Sequence, residues 1–280
     1  MTNIQIRVLT ALIYFPLLLL SAYSPETFKW MMLLLTALAW HEYLEFRLKP
    51  KEQMEWTRHL CMVFLGVFPI FVMAIYGDLV VGLVALGLSL QLSILNAMIR
   101  GRNLEELWAQ LQFYVFGVLY ISGLFLCLVL LQREQGGREA VWFLFFVVGA
   151  TDTLAYFTGK NLGHTPFFQW ISPSKTREGF WGGLLGGVLS AVIFYFVFKY
   201  FDFSVPEIGI LLGLAGIVSL ASTWGDLFES LLKRHYKLKE SGRSIPGHGG
   251  VLDRFDGVLF AGLPLLFLVL LLGGFKTVFH

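Results

Sequence analysis

Residues 207–232 read EIGILLGLAGIVSLASTWGDLFESLL, an apolar run that leads directly into charged residues. The part up to about Leu220 is apolar enough for the hydrocarbon core of a bilayer, which a helix of roughly 20 residues can cross. A segment rich in lysine, arginine and glycine, 233–254, follows at once. We therefore predict a membrane helix that continues past the membrane surface and carries Asp226, Glu229 and Lys233 near its end.

The whole chain has the composition of an integral membrane protein. Of its 280 residues, 56% are hydrophobic and 14% are charged, and the mean hydropathy is +0.70. The formal net charge of +2 is too small to bind nucleic acid by bulk electrostatics, so we expect no nucleic-acid partner. Cys61 and Cys127 both lie in apolar runs, which predicts buried thiols instead of a disulfide framework or a metal site.

The apolar runs predict an all-α, polytopic helical bundle with about nine transmembrane helices. Their expected bounds are 7–22, 27–46, 58–76, 78–98, 111–131, 140–158, 180–200, 207–232 and 255–275. Only Tyr76, Gly77 and Asp78 separate the third helix from the fourth. We predict a single membrane domain over 1–280. Within it, the helices of 1–135 embed the chain in lipid and could line a substrate groove, 140–257 forms a catalytic region, and 255–275 is the last membrane helix.

The distribution of basic residues predicts the orientation of this bundle. Sixteen of the 21 lysine and arginine residues fall in loops on the side of the N-terminus, and five fall on the opposite side. Because cytoplasmic loops carry an excess of such residues, we expect the N-terminus to be cytoplasmic. The two charge-rich loops, 159–179 and 233–254, would then also face the cytoplasm, where nucleoside triphosphates are available.

Two acidic pairs flank the basic segment. Asp226 and Glu229 are three residues apart and share one helical face. A carboxylate such as Asp226 near the membrane surface is costly unless a cation compensates it, which favours a metal or substrate site. The same residues also fit a solvated helix end, on which Glu229 and Lys233 form a surface ion pair.

The second acidic pair belongs to the sequence IPGHGGVLDRFD, residues 245–256. Its proline and glycines give a backbone that can approach a ligand closely and present its amides, beside His248. Asp253 and Asp256 follow at the start of the last helix. The alternative is a plain turn, with acidic residues that complement the helix dipole.

The other charged loop contains ISPSKTREGFWGG, residues 171–183. Its basic residues and glycines are typical of a phosphate-contacting loop that enters a helix, although the spacing differs from a Walker loop. If 179–183 begins a helix, its free amides would favour an anion. Upstream, Asp152 lies inside the sixth predicted helix, and an ionisable residue at that depth predicts a functional site. Glu42 lies near a helix end, where we expect water to be close.

These segments resemble the phosphatidate cytidylyltransferase family, also called the CDP-diacylglycerol synthases. The resemblance is carried by the C-terminal signature from Ser230 to Asp256 and, in the same order as in the family, by DTLAYFTGKNLG (152–163), SPSKTREGFWGG (172–183), WGDLFES (224–230) and, more loosely, WHEY (40–43). Two positions depart from the pattern. Glu240 stands where the family usually has aspartate, and Gly257 stands where it commonly has serine.

The resemblance implies the reaction of CTP with phosphatidic acid to give CDP-diacylglycerol and pyrophosphate. It implies a cation centre held by Asp226 and Asp253, to which we add Asp256, with Mg²⁺ and a second cation, K⁺. The expected catalytic residues are Asp226, Asp253, Lys233, Arg234 and His248. The expected substrate-binding residues are Asp152, Lys175, Thr176, Arg177, Lys239, Arg243, Gly249, Gly250 and Arg254. A homodimer in the inner (cytoplasmic) membrane of the cell is also implied.

Three other interpretations are open at this point. A transporter would concentrate its polar groups near the bilayer midplane and often show paired repeats, whereas the charges here gather in two loops. A CDP-alcohol phosphatidyltransferase would need another array of aspartates, which the DRFDG of 253–257 matches only superficially. A catalytically impaired relative is suggested only by Glu240.

Overall fold

The computed structural model describes residues 13–47, 56–101, 103–133, 136–203, 206–242, 244–245, 247 and 249–272. The regular structure of these residues is helical, with two isolated antiparallel bridges, Pro166 with Thr176 and Ile245 with Gly249. The prediction of an all-α fold is confirmed.

The described helices follow one another along the chain, and the two longest connections between them are 163–176 and 236–251. They are α1 (13–21), α2 (Pro25–Glu45), α3 (Trp56–Tyr76), α4 (Leu79–Arg100), α5 (Leu104–Gly117), α6 (Leu124–Arg133), α7 (Gly137–Leu162), α8 (Arg177–Tyr200), α9 (Ile208–His235) and α10 (Leu252–Leu271). A π-helical turn, Val118–Gly123, joins α5 to α6 in one continuous rod. Counting that rod once gives nine helices in the described residues. Seven of these are long and apolar enough to cross a membrane: α3, α4, the α5–α6 rod and α7 to α10. The prediction of a multi-pass helical membrane protein is confirmed.

The break between α3 and α4 lies where the sequence predicts it. Gly77 has a φ of 69°, in the left-handed region that glycine enters without a steric penalty. Asp78 then caps α4, because its Oδ1 accepts a hydrogen bond from the Val81 N–H over 3.0 Å. A turn residue and a cap in succession end one helix and begin the next.

Several predicted helix bounds are wrong, and the errors share one cause. The fifth helix begins at Leu104, not at 111, because the Asn103 side chain caps it and accepts from the Glu106 N–H over 2.8 Å. The helix predicted to begin at 180 is α8, which begins at Arg177 after the cap Thr176. The helix predicted to begin at 255 is α10, which begins at Leu252. α7 likewise runs from Gly137 to Leu162 and exceeds 140–158 at both ends. Apolar runs omit the polar first and last turns that complete a helix.

The chain divides into two compact units. Unit 1 comprises Met1–Leu130 with Ser241–Val251, and unit 2 comprises Leu131–Glu240 with Leu252–His280. The functional division expected from the sequence, a lipid-embedding part and a catalytic part within one domain, stays a prediction.

In unit 1, the residues of the WHEY sequence tie α2 to its neighbours. Trp40 Nε1 donates to the Ser122 hydroxyl over 2.9 Å, and that hydroxyl donates to the Gly66 carbonyl over 2.5 Å. The Tyr43 hydroxyl donates to the Phe113 carbonyl over 2.8 Å. Both aromatic side chains are buried, so these bonds satisfy polar groups that water cannot reach. α2 is thereby fastened to α3, α5 and the π-helical turn.

In unit 2, glycines let α8 pack closely on α7. Gly179, Gly183 and Gly187 recur every four residues and therefore line one helical face. A Cβ at Gly183 would lie 2.9 Å from the Ala155 Cβ and 3.0 Å from the Thr151 carbonyl oxygen. Small residues at this spacing allow the close backbone approach by which membrane helices associate. These glycines are therefore helix-packing residues, and the phosphate contact expected of the 171–183 loop stays a prediction.

Candidate active site

Unit 2 brings charged side chains from four parts of the chain into one network. Its members are Asp152 of α7, Lys175 before α8, Asp226, Glu229 and Lys233 of α9, and Asp253, Arg254 and Asp256 of α10. We call these eight residues the charged cluster. Each of them except Glu229 was expected from the sequence to belong to the site.

Lys175 reaches the cluster from a loop whose two ends are joined. The Phe167 N–H donates to the Lys175 carbonyl over 2.8 Å, and the Arg177 N–H donates to the Thr165 carbonyl over 2.9 Å. This pairing projects the Lys175 ammonium to within 2.6 Å of Asp226 Oδ2. The loop before α8 and the second half of α9 are therefore neighbours within unit 2.

Lys233 lies between two carboxylates. Its Nζ is 2.5 Å from Glu229 Oε2 and 2.6 Å from Asp253 Oδ1. The side chains of Glu229, Asp253 and Lys233 are only 1%, 10% and 15% exposed. The interpretation of Glu229 and Lys233 as a solvated surface pair is therefore wrong. In this setting each charge depends on the others, because an unpaired buried charge is strongly destabilising.

The other carboxylates of the cluster repel one another. Asp256 lies within electrostatic range of Asp226, Glu229 and Asp152, and Asp152 is also within range of Asp226. Lys175 and Arg254 offset part of this negative charge at Asp152, and the Gly257 N–H donates to Asp256 Oδ1 over 2.7 Å. Neighbouring carboxylates of this kind favour an additional cation.

The cluster fits a hard divalent cation in its donor chemistry. Carboxylate oxygens are the ligands that Mg²⁺ prefers, and it commonly takes only one or two of them, completing its shell with water and substrate phosphates. Among the described residues no group of three or more histidine, cysteine, aspartate or glutamate side chains is arranged to hold a metal ion. Two aspartates that share an ion with a bound triphosphate are compatible with that finding.

The start of α8 is less available to an anion than the sequence predicts. The Thr176 hydroxyl oxygen, expected to bind substrate, caps the helix and accepts from the Gly179 N–H over 3.1 Å. The Arg177 N–H is used by Thr165, and the Glu178 carboxylate accepts from the backbone N–H groups of the preceding loop. The prediction that free amides of 179–183 bind an anion is therefore wrong, because the chain itself satisfies them.

The remaining predicted residues are distributed over both units. Arg234 is exposed, and its Nε donates to the Ile171 carbonyl over 3.4 Å, which links the end of α9 to the Lys175 loop. Arg177 and Lys239 are exposed in unit 2. Gly249 and Gly250 belong to unit 1, as part of 241–251. The expected roles of Arg243 and His248 fall on residues outside the described part of the chain.

Two glutamates are more deeply involved in the structure than the sequence predicts. Glu229 completes the Lys233 pair, and its spacing of four residues from Lys233 was the signal for it. Glu42 was expected to lie near water, yet it is 1% exposed and accepts hydrogen bonds from the 241–251 segment. Its place in WHEY (40–43), one of the segments that resemble the family, indicated a specific role for this residue.

The fold and the charged cluster together define a class of protein. The seven membrane-length helices among the described residues place it among multi-pass membrane proteins, and the charged cluster gives it a site suited to phosphate groups.

The chain belongs to the cytidylyltransferase family, whose profile matches residues 5–272. It is similar to the phosphatidate cytidylyltransferase of Thermotoga maritima, with 28% identity over 273 residues that cover 96% of this chain and 97% of that protein. The phosphatidate cytidylyltransferase of Bacillus subtilis is 40% identical over 161 residues, or 57% of this chain and 58% of that protein. The one from Staphylococcus aureus strain COL is 44% identical over 141 residues, or 50% and 52%. The last two matches thus cover little more than half of each relative.

Proposed function

We propose that this protein is a phosphatidate cytidylyltransferase, which transfers the cytidylyl group of CTP to phosphatidic acid and releases pyrophosphate. The observation that carries the proposal is the pairing of Lys175 with Asp226 and of Lys233 with Asp253 within one cluster. Family membership supplies the group that is transferred. The cluster supplies the charges that a reaction between two phosphate compounds requires.

The chemical step joins two anions. An oxygen of the phosphatidate phosphate forms a bond to the α-phosphorus of CTP, while the bond from that phosphorus to the pyrophosphate oxygen breaks. Negative charge accumulates on the transferring and leaving phosphates. The protein must therefore present positive charge that is already fixed in place, since such preorganised groups stabilise the transition state without further rearrangement.

Lys175 and Lys233 are held in this way. Each ammonium is fixed by a carboxylate at 2.6 Å, so neither has to be ordered when the substrate arrives. We assign Lys175 to the triphosphate of CTP. We assign the basic residues at and after the end of α9, among them Arg234 and Lys239, to the phosphatidate or the pyrophosphate.

We further propose that Asp226 and Asp253 hold Mg²⁺ together with the substrate phosphates, with Asp256 nearby and K⁺ as the second cation. The carboxylate oxygens of the cluster fit Mg²⁺, which when bound neutralises phosphate charge and aligns the reacting groups. Lys175 and Lys233 pair with the same two aspartates.

The proposal includes a cellular setting. The protein would lie in the inner (cytoplasmic) membrane as a homodimer, with its N-terminus and both charged loops in the cytoplasm. The distribution of lysine and arginine supports that orientation. CTP would arrive from the cytoplasm and phosphatidic acid from the bilayer, with its acyl chains remaining in lipid.

Purified protein incubated with CTP and phosphatidic acid tests the function. We expect label from the α-phosphate of CTP to enter chloroform-soluble lipid in a one-to-one ratio with pyrophosphate released, and label from the γ-phosphate to stay in water. Release of CMP from CDP-diacylglycerol on addition of an alcohol, without incorporation of CTP, would instead indicate a CDP-alcohol phosphatidyltransferase. Uptake of substrate into vesicles without any lipid product would indicate a transporter.

A further inference from the structure

Glu42 is a buried carboxylate that fastens both ends of one segment of unit 1. Its Oε1 accepts a hydrogen bond from the Val251 N–H over 2.7 Å, and its Oε2 accepts one from the Ser241 hydroxyl over 3.2 Å. Ser241 and Val251 are the first and last residues of the segment that joins unit 1 from the C-terminal half of the chain. A single side chain of α2 thus closes the base of the 241–251 segment.

The glycines next to these two ends make the closure possible. A Cβ at Gly242 would lie 2.6 Å from Glu42 Cγ, and one at Gly250 would lie 2.8 Å from Glu42 Cδ. Both distances are too short for any side chain, so the backbone can approach the carboxylate only where glycine stands. Gly250 was expected from the sequence to bind substrate. Packing against Glu42 is a separate reason why this position has no side chain.

The segment itself turns back sharply between its two anchored ends. Gly247 and Gly249 have φ values of 75° and 85°, and the Ile245 N–H donates to the Gly249 carbonyl over 3.0 Å. Tight turns of this kind lose much conformational entropy when they form, and an anchored base reduces the number of open conformations. Holding a carboxylate in the interior is costly, and an apolar side chain would fill the same space at a lower cost.

We propose that Glu42 is a positioning residue for cytidylyl transfer, which holds the 241–251 segment closed so that the residues that the sequence assigns to the substrate there, Gly249 among them, are in place before the substrate arrives. The proposal rests on the proposed function for the identity of the substrate. A segment that is closed only part of the time binds its ligand more weakly in proportion to the closed fraction. Loss of Glu42 should therefore raise the KM of the substrate whose phosphate the segment contacts.

The test compares Glu42→Ala with Glu42→Gln. The glutamine carbonyl can still accept from Val251, and its amide can donate to the Ser241 oxygen, so both links survive in Glu42→Gln. We expect kcat/KM to fall between about ten-fold and about a hundred-fold in Glu42→Ala, mainly through KM, and to fall less than about five-fold in Glu42→Gln. Ser241→Ala removes only one link and should give an intermediate loss, and it is the variant to use if Glu42→Ala does not fold.

Hydrogen exchange at the Val251 amide provides a second readout that needs no enzyme activity. In Glu42→Ala this amide should exchange faster than in the wild type, while amides of α4 stay protected. Faster exchange with unchanged KM and kcat would overturn the positioning role and leave the proposed function standing. Equal losses in Glu42→Gln and Glu42→Ala with unchanged exchange would also overturn it, since the charge itself would then be required. If the wild type fails to use CTP, the proposed function fails, whereas the exchange result still decides whether Glu42 closes the segment.

Discussion

Lys233 allows the energetic contribution of the charged cluster to be measured. Replacing it by methionine keeps most of the side-chain volume and removes the only cation within ion-pair distance of Glu229 among the described residues. Glu229, which is 1% exposed, would then lose its ion pair, and Asp253, which is 10% exposed, would lose its contact with Lys233. Breaking a buried ion pair costs about 3–5 kcal/mol. At about 2 °C per kcal/mol for a protein of this size, we expect the midpoint of thermal unfolding to fall by about 6 °C or more.

Thermal unfolding in detergent, followed by fluorescence, measures this loss. Lys237→Met is the matched control, because Lys237 is exposed and four residues further along the chain. The double variant Lys233→Met with Glu229→Gln should recover part of the loss, since the buried side chain at position 229 is then neutral. A midpoint for Lys233→Met within about 1 °C of the control would refute the account of Glu229, Lys233 and Asp253 as a buried, mutually dependent set of charges.

Three further predictions concern packing, orientation and substrate binding. Gly183→Ala should destabilise the protein by about 1–3 kcal/mol because its Cβ would crowd α7, whereas Gly149→Ala, which meets no atom within 4 Å, should be neutral or stabilising; unfolding midpoints in detergent compare the two. Cysteines at Glu240 and Glu207, in a background without native cysteines, should react with impermeant reagents from the cytoplasmic and the opposite side respectively, and labelling from one side would contradict the orientation. Lys175→Ala should raise the KM for CTP about ten-fold or more and the KM for phosphatidic acid much less. Steady-state kinetics with each substrate varied in turn measure both constants, and a larger rise in the KM for phosphatidic acid would contradict the assignment of Lys175.

The helices were predictable because the bilayer imposes the length of an apolar run. Their ends were not, because Asn103 and Thr176 begin helices through hydrogen bonds of polar side chains, which hydropathy does not register. The glycines of 179–183 show the same limit. Their sequence suggests a phosphate-contacting loop, and their packing role becomes visible only from the position of α7.

The members of the active site were predictable in part. Asp226, Glu229 and Lys233 share a helix, so their spacing already places them together. The pairing of Lys175 with Asp226 was not predictable, because it depends on how α8 packs within unit 2. Charge alone does not distinguish Lys175 from the other lysines in the sequence. Glu42 is separated from Ser241 and Val251 by 199 and 209 positions, a distance over which no periodicity gives information.

The central claim is that Asp226 and Asp253, each paired with a lysine, support the transfer of the cytidylyl group. The most direct measurement is the initial rate of CDP-diacylglycerol formation by folded Asp226→Asn and Asp253→Asn at saturating Mg²⁺. Each variant loses the charge of one carboxylate and keeps its size, and the loss of such a cation ligand forfeits several kcal/mol of transition-state stabilisation. We predict a rate lower by about two orders of magnitude or more in each variant, with unchanged yield of folded protein. A rate close to that of the wild type in either variant would contradict the claim.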